Sequence, residues 1–540
     1  MNRRKIVFFV LSIFFVAANF FCQDSKNQSE ENSLEELAEE ESFVDQSLQR
    51  NLNVFSSSWK YNLNPHTAQY ASEAQVLNSL YEGLFCYNPM TGEAIKAYCS
   101  SYKLSRDKKR WTFTIRDGAK FSNGDEITAE TFKESWLNLL ANPQAEYASF
   151  ADCIQGAKEY RTGKGKREDV RISVNEKNTL VLHLTTPTEH LPQMLCHHSF
   201  AAVSTKENVF SGPYILKSYK DDVITLVKNE NYIDCQKVHL PSVTITMLSN
   251  YDELSHKFNT GEADLVLKNG DYSKVIDSSA VQMSAQFGTQ YYFFKMNDNV
   301  WSKKEFRRAL VEAIPYEQLR SPFYLPAETL VYPLTYYPKV VGFSDYDTQD
   351  AIALMDEARQ KNNISKEQKL PLVISISSDV KWELEAAIIL KNAWEPLGVD
   401  VSIQSLPSSL YLSSISTSQA DLFLYGWVGD YADPLAFLEL FKSDSSLNVS
   451  KYNNPKYDRL LSLAASADST QEHYDYQAKA EQILLDEGEV IPLTYFVSLN
   501  LIDTQLLGGW YKNSMDIHPF KYMYFMKKEF KLPGFVRWEM

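Results

Sequence analysis

Basic side chains are in deficit: Lys and Arg total 54 against 69 Asp and Glu, a formal net charge of −15. That balance argues against a nucleic-acid partner, because phosphate binders concentrate Lys and Arg; an acidic surface mainly keeps a chain soluble. The short signatures of catalysis are missing as well. There is no P-loop, no G-x-G-x-x-G, no G-x-S-x-G and no H-E-x-x-H. The six cysteines show no C-x-x-C spacing, which argues against a zinc site. His197-His198 is the only adjacent histidine pair. On a strand, neighbours face opposite ways, so the two are read as core or surface groups rather than as joint metal ligands. Gly163-Lys164-Gly165-Lys166 is too generic for a phosphate site, and Asp221-Asp222 reads as solvated. No cofactor, metal or catalytic residue is expected. An extracellular hydrolase stands as the alternative class, since catalytic carboxylate pairs leave no local signature.

The N-terminus is where apolar residues do run together. Asn2-Arg3-Arg4-Lys5 is followed by the nearly unbroken apolar segment Ile6 to Phe21, which stops at Cys22. An apolar stretch of about 16 residues behind positive charge is an export signal rather than a spanning helix. No later segment approaches spanning length. Cys22 is read as the lipidated first residue of a bacterial lipoprotein, although Asn19-Phe20-Phe21 departs from the usual leucine and small residues before such a cysteine. An ordinary cleaved signal or an uncleaved anchor is the alternative. The acidic stretch Asp24 to Asp45 repels itself and serves as a tether. Export permits disulfides, but spacing cannot choose pairs among Cys86, Cys99, Cys153, Cys196 and Cys235.

A chain of 540 residues, 44% of them hydrophobic, exceeds one core and implies two or three lobes. Trp111 to Arg116 alternates as a half-buried strand, Asn123-Gly124 marks a turn, and Thr128 caps a helix carrying Phe132, Trp136, Leu139 and Leu140. Further on, Leu372 to Ile376 is a strand, and Trp382, Ala386, Ile389 and Ala393 form one helical stripe. Val399, Val401 and Ile403 alternate as the next strand. This is a βαβ unit with parallel strands. A helix over 409–417 and a third strand from Asp421 to Gly426 complete a doubly wound lobe. Ligands of such lobes sit beyond the carboxyl ends of the strands. There stands Trp427-Val428-Gly429-Asp430-Tyr431-Ala432-Asp433-Pro434, which reads equally as a binding loop or as a solvated turn. Among 32 Tyr, 30 Phe and 9 Trp, a minority lining a cleft would suit variable side chains.

Several segments, in order, resemble the periplasmic oligopeptide-binding protein family, extracellular solute-binding family 5. They are Leu63-Asn64-Pro65-His66 with Leu80-Tyr81-Glu82-Gly83-Leu84; Trp111 to Arg116 with Phe121-Ser122-Asn123-Gly124-Asp125; and Gly212-Pro213-Tyr214 with Lys228-Asn229-Glu230-Asn231-Tyr232. Gly261-Glu262-Ala263-Asp264, Phe306-Arg307-Arg308-Ala309-Leu310, and Ala480-Glu481 through Ile491-Pro492-Leu493-Thr494-Tyr495 continue the series.

The resemblance implies an α/β, two-lobed, hinge-closing periplasmic binding protein fold (class II, type C) with an extra inserted third lobe. The expected division is a signal at 1–22, a tether at 23–45, lobe I from 46–88, 205–290 and 500–540, an inserted lobe II at 89–204, and lobe III at 291–499. The hinge is expected near 285–295 and 495–505. The implied function is capture of oligopeptides for the permease and ATPase subunits of an ABC importer, by a monomer in the periplasm or on the outer membrane face. Other solutes (a nickel complex, haem or an oligosaccharide) and a surface sensor or adhesin are the alternatives. By the same resemblance Asp430 pairs with the peptide α-amino group beside Glu73 of the first lobe. Trp427 and the backbone of Gly426 and Gly429 touch the peptide main chain, and Tyr147 contacts it from the second lobe. Where relatives with known tri- to pentapeptide preference carry Trp, Arg and His, this sequence has Ser408, Ile415, Ser416 and Leu424.

Overall fold

The structure, a computed structural model, describes residues 49–526 apart from positions 69, 177, 189, 268–270, 430, 432 and 468. The export signal 1–22 with Cys22, the tether 23–45 and Asp430 lie outside the described residues.

Ten strands build the main sheet. In chain order they are β1 (Leu52–Ser57), β2 (Tyr214–Lys220), β3 (Val223–Lys228), β4 (Ser242–Leu248), β5 (Leu265–Leu267), β6 (Val281–Phe294), β7 (Leu370–Ser377), β8 (Val399–Leu406), β9 (Leu422–Val428) and β10 (Val490–Ile502). Their spatial order is β8-β7-β9-β6-β10-β5-β1-β4-β3-β2. β1 is parallel to β4 and β5, and β7 is parallel to β8 and β9. The two parallel patches are joined by β6 and β10, antiparallel to each other and to their outer neighbours β9 and β5. These two strands have 14 and 13 residues, about twice an ordinary strand. Their pairing breaks register between Ala285 and Thr289.

A separate four-stranded antiparallel sheet is formed in the order Cys99–Leu104, Arg110–Ile115, Thr179–His183, Ile172–Asn175. Alternation makes the second of these a half-buried strand, with Trp111, Phe113 and Ile115 inward. The Asn123-Gly124 turn forms with Gly124 at φ +89°, a conformation that costs glycine nothing. The next helix, Ala129–Ala141, starts where Thr131 Oγ1 accepts from the Thr128 amide (3.1 Å) and Asn178 Oδ1 from the Ala129 amide (2.7 Å). Phe132, Trp136, Leu139 and Leu140 are its buried face.

The βαβ unit is β7, helix Lys381–Trp394 and β8, as the periodicity predicts. Its buried stripe is displaced: Glu383, Ala386, Ala387, Leu390 and Trp394 face inward, while Trp382 and Ile389 are only partly buried. Glu383 takes a core position because its carboxylate accepts the Ser377 amide at the end of β7 (2.7 Å). The Trp394 indole donates to Leu310 O (2.9 Å) and the Trp301 indole to Pro371 O (2.8 Å). Full burial of such side chains stabilises by about 2–3 kcal/mol each. The predicted helix at 409–417 is Ser408–Ser414, and the third strand runs on to Val428. Gly426 and Trp427 are therefore strand residues, paired with Gln290 and Thr289 of β6.

The five described cysteines are free thiols. Among the described residues no helix is long and apolar enough to cross a membrane, and no cluster of His, Cys, Asp and Glu has metal-binding form.

Candidate functional site

The carboxyl end of β9 meets the inserted sheet's helices at a ladder of rings. Tyr425 stacks on Trp427 (6.3 Å, 21°), Trp427 lies 6.3 Å from Tyr147, Tyr147 4.2 Å from His197, and His197 4.0 Å from His198. Two of the residues singled out from the sequence, Trp427 and Tyr147, are thus brought face to face from segments 280 positions apart, and both are buried.

Glycine at 426 and 429 has a packing cause. A Cβ on Gly426 would stand 2.6 Å from the Phe496 ring, and one on Gly429 2.5 Å from the Phe287 ring. The Gly429 amide donates to Phe287 O (2.7 Å), and the Phe287 amide to Ser514 O (2.8 Å). The start of the loop is thereby tied to β6 and to the C-terminal segment. Its far end is tied by Asp433. This buried carboxylate accepts from His473 Nε2 (2.8 Å), Gln477 Nε2 (2.7 Å) and the Leu435 amide (2.8 Å). Burial opposes its charge, but the His473 bond and the His473 and His190 charges outweigh it and hold the pKa at about 2. Tyr431, between the two anchors, stacks on His190 (5.6 Å, 10°).

Glu73 lies in the first turn of helix Ala71–Leu80. Its oxygens accept from the Asn62 amide (2.7 Å) and the Tyr70 amide (3.2 Å). It pins the loop leading into that helix, and its negative charge suits the helix N-terminus.

A partly open cavity lies where these parts meet. Its lining draws on Tyr70 and Ala74 of the first helix, Tyr147 and His197, Val428 and Gly429, and Met515 near the C-terminus. Glu73 is not in that lining. Asp433 is turned toward the helix Thr470–Asp486.

The histidine pair is buried, in keeping with its reading as core groups, but the strand geometry considered for it is absent. His197 and His198 are on no strand: His197 precedes the one-turn helix His198–Phe200, and both rings reach the cavity. Burial pushes the His198 pKa down to about 3, with the nearby His66 ring adding to it. The signal available in the sequence was two adjacent imidazoles before a Ser-Phe turn, which says nothing of Tyr70 or Met515.

At the positions where cations were missed, Ser408 hydrogen-bonds Ser377, and the carbonyls of Ile415 and Ser416 accept from Lys295 Nζ (2.7 and 2.9 Å). Lys295 also reaches Ser418 O (2.8 Å), capping the end of helix Ser408–Ser414.

Two α/β bodies sharing long central strands, with a ring-lined cavity at the carboxyl end of β9, are the architecture of a lobed solute-binding protein. The family model "bacterial extracellular solute-binding proteins, family 5 Middle" matches residues 93–448, and the chain belongs to that family. The dipeptide-binding protein DppE of Bacillus subtilis (strain 168) is 27% identical over 471 residues, covering 80% of this chain and 84% of that protein. The murein tripeptide-binding protein MppA of Escherichia coli superposes with a TM-score of 0.79 at 25% identity, covering 90% of this chain and 100% of that one. OppA of Haemophilus influenzae, in complex with RPPGFSPFR, gives 0.78 at 23% identity over 90% and 100%. The expected fold is the observed one, and members of the family are solute-binding proteins rather than enzymes.

Proposed function

We propose that this protein captures oligopeptides outside the cytoplasm and delivers them to the permease and ATPase of an ABC importer. The observation that carries the reading is the cavity at the end of β9, lined by rings and small residues from five separated segments (70–87, 147, 197–198, 428–429 and 515–517) and, among the described residues, by no charged side chain. Such a lining offers contact area to varied side chains. Relatives whose names state dipeptide or murein peptide binding support it.

In this reading Asp430 takes the peptide α-ammonium, Trp427 and Tyr147 flank the peptide main chain, and Glu73 holds the entry loop. Lobe I comprises 46–88, 205–290 and 500–540, lobe II 89–204 and lobe III 291–499. The lobes close about β6 and β10 when ligand supplies contacts available only in the shut form. The mature chain is a monomer anchored through acylated Cys22. Native mass spectrometry of the protein as purified, followed by calorimetry with a tripeptide mixture, tests the function. Co-purified peptides and micromolar or tighter binding support it. Retention of a metal complex or a sugar in place of peptide overturns it, and cleavage of the added peptides would mark an enzyme.

A further inference from the structure

We propose that His198 floors a pocket for one ligand side chain and selects an uncharged side chain ending in an amide or hydroxyl. The inference rests on the peptide-binding reading and adds a specificity-determining residue to it.

His198 is 4% exposed. Its ring lines the interlobe cavity beside Tyr70, Tyr87 and Met515, and also a second, smaller cavity beside Tyr81 and Cys196. Neither ring nitrogen has a hydrogen-bond partner among the described residues. A neutral imidazole carries one N–H donor and one acceptor, and leaving each unmatched is unfavourable by more than an ordinary hydrogen bond gains. What holds the ring is stacking: His197 lies 4.0 Å away and Tyr147 6.3 Å, edge-on. The plane is fixed by rings, and the two ring nitrogens stay buried and unmatched at the border of both cavities.

The rest of the lining says which group. Asn78 of helix Ala71–Leu80 borders both cavities and adds an amide. Among the described residues no charged side chain lines the first cavity; Asp430, next in the chain after Gly429, lies outside them. In the second, Lys521 Nζ and Glu82 Oε2 are already paired at 2.6 Å, with the Tyr232 hydroxyl on the same carboxylate oxygen. With Asp430 engaged by the α-ammonium in the peptide-binding reading, a ligand Lys, Arg, Asp or Glu side chain would lose its water and meet no free counter-ion among the described lining residues. A hydrocarbon side chain would fit the apolar walls but leave the imidazole as unmatched as it stands here. A carboxamide or hydroxyl returns a donor and an acceptor to the ring. Sites built around a polar group reject analogues lacking the complement far more strongly than apolar slots reject a missing methylene.

Calorimetry on the full chain with the tripeptides X-Ala-Ala, Ala-X-Ala and Ala-Ala-X, where X is Gln, Leu, Lys or Glu, decides the matter. The expected result is one position at which Gln binds at least tenfold tighter than Leu, Lys and Glu. His198→Phe should bring the Gln-to-Leu ratio there below threefold. Ratios under threefold at all three positions in the native protein, or a Gln preference that survives His198→Phe, overturn this inference and leave peptide binding standing. If no peptide binds the native protein, the functional reading falls and this inference with it. The native-protein comparison decides even where the variant fails to fold.

Discussion

The Asp433 carboxylate and His473 Nε2 stand 2.8 Å apart, joining the loop after β9 to the helix Thr470–Asp486. Because the pair is buried, removing one partner strands the other. Asp433→Ala should lower stability by about 3–5 kcal/mol, as broken buried pairs do. The folded-state pKa of Asp433 is depressed to about 2 from 3.8. Its contribution is therefore present above pH 4 and lost as pH falls toward 2. Urea unfolding of native and variant protein between pH 2 and 7 checks both points; equal midpoints at pH 7 would refute the anchor.

His66 and His198 act in a higher window. Burial holds their pKa values at about 4 and about 3, below the unfolded value near 6.5. In acid the unfolded chain takes up protons that the folded chain refuses. Stability is full above about pH 6.5 and falls with acidification by up to about 1.4 kcal/mol per pH unit for each histidine. His198→Phe should flatten this limb by one histidine's share, read as the slope of stability against pH between 6 and 4.

Asp430 is the proposed ammonium partner, and its effect should be on binding. Asp430→Ala should weaken a tripeptide by at least a hundredfold, equivalent to about 3 kcal/mol. Asp430→Asn should lose nearly as much. N-acetylation of the peptide should cost the native protein a similar factor. Calorimetric changes under about threefold in these pairs would remove Asp430 from the role.

Contacts between the inserted region and the segment 439–446 form a candidate latch. Lys158 pairs with the Asp444 carboxylate, Arg161 Nη2 donates to Asp444 O (3.1 Å), and Ser446 donates to Glu146 O. The Lys158–Asp444 pair is partly solvated, so its own contribution is small and salt-sensitive. Asp444→Lys turns attraction into repulsion. It should reduce peptide affinity about fivefold at low salt, with less effect at high salt, and leave more of the protein expanded in small-angle scattering. An unchanged radius of gyration with and without peptide would reject closure altogether.

Cys22→Ser should release the mature protein from the membrane fraction, because anchoring by acyl chains requires the thiol. A variant that stays membrane-bound after signal cleavage would refute lipidation.

The segments that carried the family resemblance are mostly packing devices, which is why they could be read locally. Arg307 in Phe306-Arg307-Arg308 is buried and donates to Trp301 O (2.9 Å) and Glu487 O (3.1 Å). Asp264 in Gly261 to Asp264 receives Arg50 and the Asn53 amide. A Cβ on Gly212 would lie 2.5 Å from the main chain at Leu80. Strand alternation and capping residues also write themselves into short windows. The cavity does not. Tyr70, His198, Gly429 and Met515 meet only after four distant segments fold together. Likewise, the stripe on helix Lys381–Trp394 is decided by Glu383 finding the Ser377 amide, which no hydrophobic period announces.

The place of β10 in the sheet bears on the order in which the fold can close. This strand, Val490–Ile502, sits between β6 and β5, so each keeps a bare edge until residues near the end of the chain arrive. The central seam is thus completed by a late segment of the chain, and it unites both bodies. A precursor emerging from the ribosome cannot seal its own middle, and long-range pairing of this kind is slow to form. Until β10 arrives the sheet is in two unjoined patches, so joining them is a late, long-range step of folding.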